Sequence, residues 1–400
     1  MKTVFHNMKI SFYTIGCKLN QAETEELKKT LQQQGFSTVP FGKEDVCVIR
    51  ACAVTCNASQ TTREIIRQVK RRGTYTITVG CLENKNLPEI NFIAKNNNEI
   101  IQHLQQLNKK YLCKPNKTLV TKNTLSKKTR ALIKIQTGCN FNCAYCAIPS
   151  FRGRSSSIPN DEIINKIKEL EKGKYKEIVL TGVNICQYNN NGLKLHTLLK
   201  KILLKTNIPR LRLGSLDPRL ISDQLIKTLK NERLMPHWHL SLQSGSDSTL
   251  KRMNRGYNTK QYSKIIEKIR KINPLFSFTT DIIVGFPGET DKEFNETCAF
   301  VKKIGFTKIH IFPYSIRPNT LAETMKNHLQ DKIKTERVKI LTDLAQKTAD
   351  EYRKKIIGLK RPILFEQKIA NRWYGYSPEY LRVGYCSVKN LKNQIKIIKI

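Results

Sequence analysis

Six short apolar runs, at residues 131–137, 177–181, 211–215, 238–242, 278–284 and 308–313, alternate with amphipathic helical patterns at 161–171, 195–204, 222–229, 260–272 and 291–304. Strand and helix in strict alternation, joined by right-handed crossovers, curl into a partial (β/α)6 barrel whose reactive end lies at the carboxyl ends of the strands. The unusual motifs of this stretch fall at such ends. Directly after the first strand comes Cys139-Asn140-Phe141-Asn142-Cys143-Ala144-Tyr145-Cys146. Three thiolates at C-x3-C-x2-C suit one loop wrapped around an iron-sulfur cube, which leaves one iron open. A structural zinc site would require four protein ligands, and the next candidates, Cys186 and His196, lie far along the chain. Zinc and unligated thiols are the alternatives.

The first hundred residues show a smaller version of the same alternation. Strand-like runs at 10–16, 45–51 and 75–80, with helical patterns at 22–35 and 59–72, predict an open parallel α/β sheet. Cys17, Cys52 and Cys81 each follow one of these strands. Carboxyl ends of neighbouring parallel strands share one crevice, so the three thiols can converge as a second three-cysteine site. Taken singly, each is more often a core residue. Cys56, four residues after Cys52, is a rival ligand; Cys47 lies inside a strand and reads as core. Cys113, Cys186, Cys298 and Cys386 have no partner pattern and read as structural, and His237 and His239 read as core or barrel-lining residues.

The domain plan is a cluster domain at 1–105, a basic linker at 106–130 with a short strand at 117–122, a barrel at 131–328, a connecting helix at 329–358 and a small all-β domain at 359–400. The fold class is therefore α/β with a small β appendage. The chain carries 71 Lys+Arg against 32 Asp+Glu, a formal net charge of +39. That excess points to a polyanionic partner, nucleic acid first, although a composition bias toward Lys would raise the charge as well. Trp373, Tyr374, Tyr376 and Tyr380 among basic residues suit base stacking, or else fill the core of a minimal domain. No apolar run reaches the ~18 residues of a membrane span, and no signal-peptide pattern opens the chain, so a cytoplasmic protein is expected. Twelve cysteines in 400 residues are too few for a disulfide scaffold.

The CxxxCxxC loop with an aromatic before its third cysteine resembles the radical S-adenosylmethionine superfamily. Leu180-Thr181-Gly182-Val183, Gln243-Ser244-Gly245 and Ile283-Val284-Gly285-Phe286-Pro287-Gly288-Glu289 resemble its later strand ends. Gly16-Cys17-Lys18-Leu19-Asn20, Ala51-Cys52-Ala53-Val54-Thr55, Val79-Gly80-Cys81, Ile148-Pro149, Arg152-Gly153-Arg154 and Phe312-Pro313-Tyr314-Ser315 extend the resemblance over nearly the whole chain, to the radical-SAM methylthiotransferases with their C-terminal TRAM domain. Among these the stretches look most like the branch called MtaB, which methylthiolates carbon 2 of N6-threonylcarbamoyladenosine at position 37 of tRNA. Thr137, Arg50-Ala51 and Cys56 depart from that branch's usual Asp, Asn-Thr and Asn.

The resemblance implies two [4Fe-4S] clusters, held by Cys17, Cys52 and Cys81 and by Cys139, Cys143 and Cys146, and S-adenosylmethionine near the Tyr145 backbone, Gly182, Ser215, Gln243, Phe312 and Pro313. One S-adenosylmethionine methylates a sulfur at the N-terminal cluster; a second gives the deoxyadenosyl radical that activates a carbon–hydrogen bond beyond the reach of acid–base catalysis. The implied partners are a tRNA anticodon stem-loop and a flavodoxin-type electron donor, with no membrane and no DNA. Arg152 and Arg154 are expected either on substrate or on an acidic neighbour. The isopentenyladenosine (MiaB) branch, the ribosomal-protein aspartate (RimO) branch and a zinc-containing tRNA-binding protein are the competing readings.

Overall fold

The computed structural model describes residues 8–83, 87–111 and 129–400. Most of the predicted basic linker, including Cys113 and the expected strand at 117–122, lies outside them. The chain divides into two compact units, the first taking in Ser150–Gly153 from the middle of the sequence and the second running from the barrel to the C-terminus.

The first unit is a parallel sheet of five strands in the order β2-β1-β3-β4-β5: β1 Lys9–Thr14, β2 Ser37–Thr38, β3 Val46–Ala51, β4 Tyr75–Gly80 and β5 Phe92–Ala94. Helices α1 Lys18–Gln33, α2 Cys56–Arg71 and α3 Asn97–Tyr111 alternate with them. β3 is buried at every position because it lies mid-sheet with side chains packed on both faces. One cluster gathers Ile10, Val48 and Ile77 with Leu27 and Leu104, the other Cys47 and Ile49 with Ile66 and Val69. Helix α3 occupies part of the stretch read as linker.

In the second unit six parallel strands follow one another as predicted: Arg130–Lys134, Glu177–Thr181, Arg210–Leu213, His237–Leu240, Ser277–Val284 and Lys308–Pro313. They form two sheets, one of the first three strands and one of the last three, the latter edged by Ser215–Leu216, which continues the third strand past Gly214. Even-numbered positions of the fifth strand, such as Phe278 and Ile282, pack on the surrounding helices. Odd-numbered positions therefore face the lumen, since successive strand side chains alternate. Helix Asp331–Ile356 leads to a four-stranded antiparallel sheet of Lys360–Ile369, Arg372–Tyr376, Arg382–Cys386 and Ile395–Lys399.

This sheet is not a free appendage. Its turn at residues 377–381 covers the amino-terminal mouth of the barrel, where the first residues of the strands meet it. Arg210 Nη1 donates to the Tyr376 carbonyl at 3.0 Å, Arg212 Nη1 to that of Pro378 at 3.0 Å, and Ser277 Oγ to that of Glu379 at 2.6 Å. The Tyr380 ring lies 4.8 Å from His237 and 4.6 Å from the Arg212 guanidinium. Trp373 is buried in the core of the sheet, so that ring serves packing.

At the centre of this plug Arg212 makes a two-pronged ion pair with Glu177 at 2.9 and 3.2 Å, both side chains fully buried. Arg210 adds a second cation 3.7 Å from the same carboxylate. Burial alone would raise the Glu177 pKa, but Arg212 and its neighbours hold it below the usual range. Removing one partner of such a network strands the others without water. Glu177→Ala is expected to lower unfolding stability by about 3–5 kcal/mol, read as a drop in the urea midpoint.

Candidate functional site

In the first unit β1, β3 and β4 are adjacent, so the residues after them share one edge of the sheet. Cys17 caps α1, Cys52 follows β3 and Cys81 follows β4. Their thiols interact electrostatically, Cys52 with both Cys17 and Cys81. Gly16 makes the approach possible: with φ +94°, a Cβ there would lie 2.6 Å from Cys52 Sγ, so any other residue would push the thiol away. Asn20 ties the edge together, donating to the Ile15 and Ala51 carbonyls at 2.7 and 3.1 Å.

Arg152 is the cation of this site. It donates to Asn20 Oδ1 at 2.6 Å and pairs with both oxygens of Glu23 at 3.1 and 3.2 Å. It also hydrogen-bonds the Cys81 thiol, lowering a pKa that burial pushes up. Glu23 is shared with Arg50 at 3.0 Å. The expected acidic neighbour of Arg152 is thus Glu23, while Arg154 is exposed. Cys47 is fully buried in β3, as expected. Cys56 opens α2 and is exposed.

The second trio follows the first barrel strand. Cys146 interacts with Cys143 and Cys139. Four donors converge on their sulfurs: Arg255 Nη1 on Cys143 Sγ at 3.3 Å, Arg219 Nη2 on the same atom at 3.6 Å, and Gln187 Nε2 and the Phe141 amide on Cys139 Sγ, each at 3.5 Å. Asp217 orients the arginines, 2.6 Å from Arg219 and 3.3 Å from Arg255. Gln187, Asp217, Arg219 and Arg255 lie far from the cysteine motif in sequence and carry no local signature.

The residues expected to contact a cofactor lie on the loop itself and at the ends of several barrel strands. Tyr145 is half-buried beside Arg255. Ser215 starts the short extension of the third strand, and Phe312 and Pro313 end the sixth. Gln243 stands at φ +72°, a conformation rare for a side chain this large, with its amide donating to the Asp281 carbonyl at 2.8 Å. Gly182 has a reason within the protein: a Cβ there would meet the Gln136 carbonyl at 2.7 Å. Gly245 is likewise pressed against helix Asp291–Ile304, its would-be Cβ 2.8 Å from Thr297 Cα. Close packing within the protein is by itself enough to require glycine at both positions.

A single zinc ion holding three thiolates at about 2.3 Å would bring the sulfurs within about 4 Å of one another. Neither trio is that tight; among the described residues the one His/Cys/Asp/Glu group with ligand atoms all within 4.8 Å is His239, Asp281 and His310. The thiols of each trio still influence one another electrostatically.

Burial pushes Cys52 up to about 11 and Cys146 up to about 12, so both are protonated near neutrality. Ligation requires thiolates and must expel those protons. Cluster loading is therefore expected to acidify an unbuffered solution and to become more favourable from about pH 7 to about pH 9, followed by visible absorbance and proton release.

Residues 133–301 match the Radical SAM superfamily and residues 9–101 match uncharacterized protein family UPF0004. The chain is 36% identical to the threonylcarbamoyladenosine tRNA methylthiotransferase MtaB of Thermotoga maritima, over 92% of this chain and 89% of that protein. It is 31% identical to the tRNA-2-methylthio-N(6)-dimethylallyladenosine synthase of Endomicrobium trichonymphae, over 88% of each. In fold it resembles the radical S-adenosylmethionine methyltransferase TsrM of Kitasatospora setae, with a TM-score of 0.60 at 12% identity over 79% of this chain and 75% of that one. Two thiol trios at the ends of parallel strands and a relative this similar along nearly its whole length lead to one conclusion: the chain belongs to the radical-SAM methylthiotransferase family.

Proposed function

We propose that the chain adds a methylthio group to carbon 2 of N6-threonylcarbamoyladenosine at position 37 of tRNA, next to the anticodon. The observation that carries the reading is the pair of three-thiol groups, each with its own buried cation, in a chain 36% identical to an MtaB enzyme. Cys139, Cys143 and Cys146 would hold one [4Fe-4S] cluster, and Cys17, Cys52 and Cys81 the other. When bound, the clusters and S-adenosylmethionine supply one-electron cleavage of a sulfonium bond, a carbon-centred radical and a methylated sulfur.

The chain's own residues prepare for that chemistry. Arg255 and Arg219 place positive charge on Cys143, and Asp217 between them keeps both donors aimed at the sulfur. Hydrogen bonds to cysteine sulfurs make reduction easier, which raises the potential of the bound group. Arg152 does the same for Cys81, its direction fixed by Glu23 and Asn20. The lumen of the barrel, closed below by Tyr380, receives the base from the carboxyl-end mouth. A base in a single-stranded loop costs less to expose than one in a duplex. Phosphates are held by the Lys-rich surface, to which a net charge of +39 gives long-range attraction. A flavodoxin-type donor is the proposed source of electrons. Among the described residues no helix is long and apolar enough to cross a membrane.

Nucleoside mass spectrometry of tRNA from a deletion strain and its complemented counterpart tests the substrate. The 2-methylthio derivative of N6-threonylcarbamoyladenosine should vanish on deletion and return on complementation; loss of the isopentenyl derivative instead would reassign the branch. The two trios separate by substitution. Cys143→Ala should abolish 5′-deoxyadenosine formation as well as product, whereas Cys52→Ala should abolish the methylthio product and leave 5′-deoxyadenosine formation intact. Product formation by Cys52→Ala would sink the two-cluster reading.

A further inference from the structure

One group of titratable side chains inside the barrel has no part in either trio. Trp238 and Leu240, Phe278 and Ile282, and Ile309 and Ile311 point from the last three strands into the helix-packed core. Alternation then turns His239, Asp281 and His310 toward the lumen. His310 stands opposite Asp281 in the strand register, and His239 opposite Thr279, so a diagonal across three neighbouring strands brings them together. One imidazole nitrogen from each histidine and one Asp281 carboxylate oxygen lie within 4.8 Å of one another.

The group is held in place from one side. His239 Nδ1 contacts Thr279 Oγ1 at 3.1 Å, and its Nε2 contacts Asp281 Oδ2 at 3.1 Å. Thr279 Oγ1 also contacts His237 Nε2 at 3.2 Å, which ties the group to the layer above Tyr380. The rings of His239 and His310 are 5.9 Å apart. The Asp281 side chain is 28% exposed and that of His239 15%, so the group is fixed but open to the lumen. Burial tends to raise the Asp281 pKa, yet the His239 charge and hydrogen bond hold it below the usual range.

We propose that His239, Asp281 and His310 form the subsite for the polar arm on N6 of the target base, and thereby select a threonylcarbamoyl arm over an apolar one. The inference rests on the substrate reading above and adds the residues that choose the arm. A threonylcarbamoyl group offers N–H and hydroxyl donors, a carbonyl and a carboxylate. The subsite offers the complement, the Asp281 carboxylate that accepts and the His310 imidazole that donates, with both nitrogens of His239 spent on holding Asp281 and Thr279 in place. A dimethylallyl arm carries carbon only. Seated here it would strip water from the Asp281 carboxylate and the His310 imidazole and return no hydrogen bond, the situation in which a polar site rejects an apolar analogue most strongly.

The test uses the cluster-loaded enzyme and three anticodon stem-loops that differ only at position 37: N6-threonylcarbamoyladenosine, N6-dimethylallyladenosine and plain adenosine. Asp281→Asn and His310→Leu should each bind the threonylcarbamoyl stem-loop on the order of tenfold to a hundredfold more weakly, the loss typical of hydrogen bonds to charged groups. Binding of the plain adenosine stem-loop should stay near the wild-type level. Unchanged affinity for the threonylcarbamoyl stem-loop in both variants would overturn the subsite, as would an equal loss for all three stem-loops, the mark of a structural role. One equivalent of a non-iron divalent metal in the wild type, lost in Asp281→Asn, would overturn it as well, because ligation consumes the lone pairs the arm needs. Wild-type enzyme that ignores the threonylcarbamoyl stem-loop but methylthiolates another RNA would instead bring down the substrate reading, and the subsite with it.

Discussion

A thiolate persists in a buried crevice only where another positive charge takes the place of its proton. The chain meets this constraint twice with the same parts. In each unit a cysteine follows a parallel strand, at the edge where neighbouring strand ends converge. In each an arginine faces a sulfur and a carboxylate fixes the arginine: Arg152 with Glu23, and Arg219 and Arg255 with Asp217. The acid prevents the cation from turning toward water, and it tempers the charge the sulfurs feel. Burial still pushes the Cys52 and Cys146 thiols up, so their protons must leave when a metal-sulfur group binds, which couples assembly to ionisation.

How much of this could be read from the sequence depends on whether the cause was local. Strand and helix period placed the six barrel strands and the cysteines at their ends, because burial on alternate faces writes itself into neighbouring residues. The helix Asn97–Tyr111 was hidden by its composition: Lys109 and Lys110 near its end blend into the basic stretch that follows. The strand Arg372–Tyr376 is hard to read from its sequence although its aromatic residues stand out, since Gly375 interrupts the pattern where the carbonyl of Leu364 presses against it. Arg255 lies 112 residues from Cys143, and nothing near it in sequence announces the contact. His239 was read as core or lining, and lining it is; that two more strands bring Asp281 and His310 beside it follows from register, which no single strand encodes.

The motif glycines carry a similar lesson. At Gly182 and Gly245 the space a side chain would need is filled by Gln136 and by helix Asp291–Ile304. Gly16 is the opposite case, since the space it leaves is taken by Cys52, a member of the site itself.

The C-terminal sheet does more than add stability. With Tyr380, Arg212 and Glu177 stoppering the amino-terminal mouth, the lumen has a floor. A floor sets a depth: it limits how far any group can sink below the strand ends, so the sheet that looks like an appendage is the gauge of the barrel.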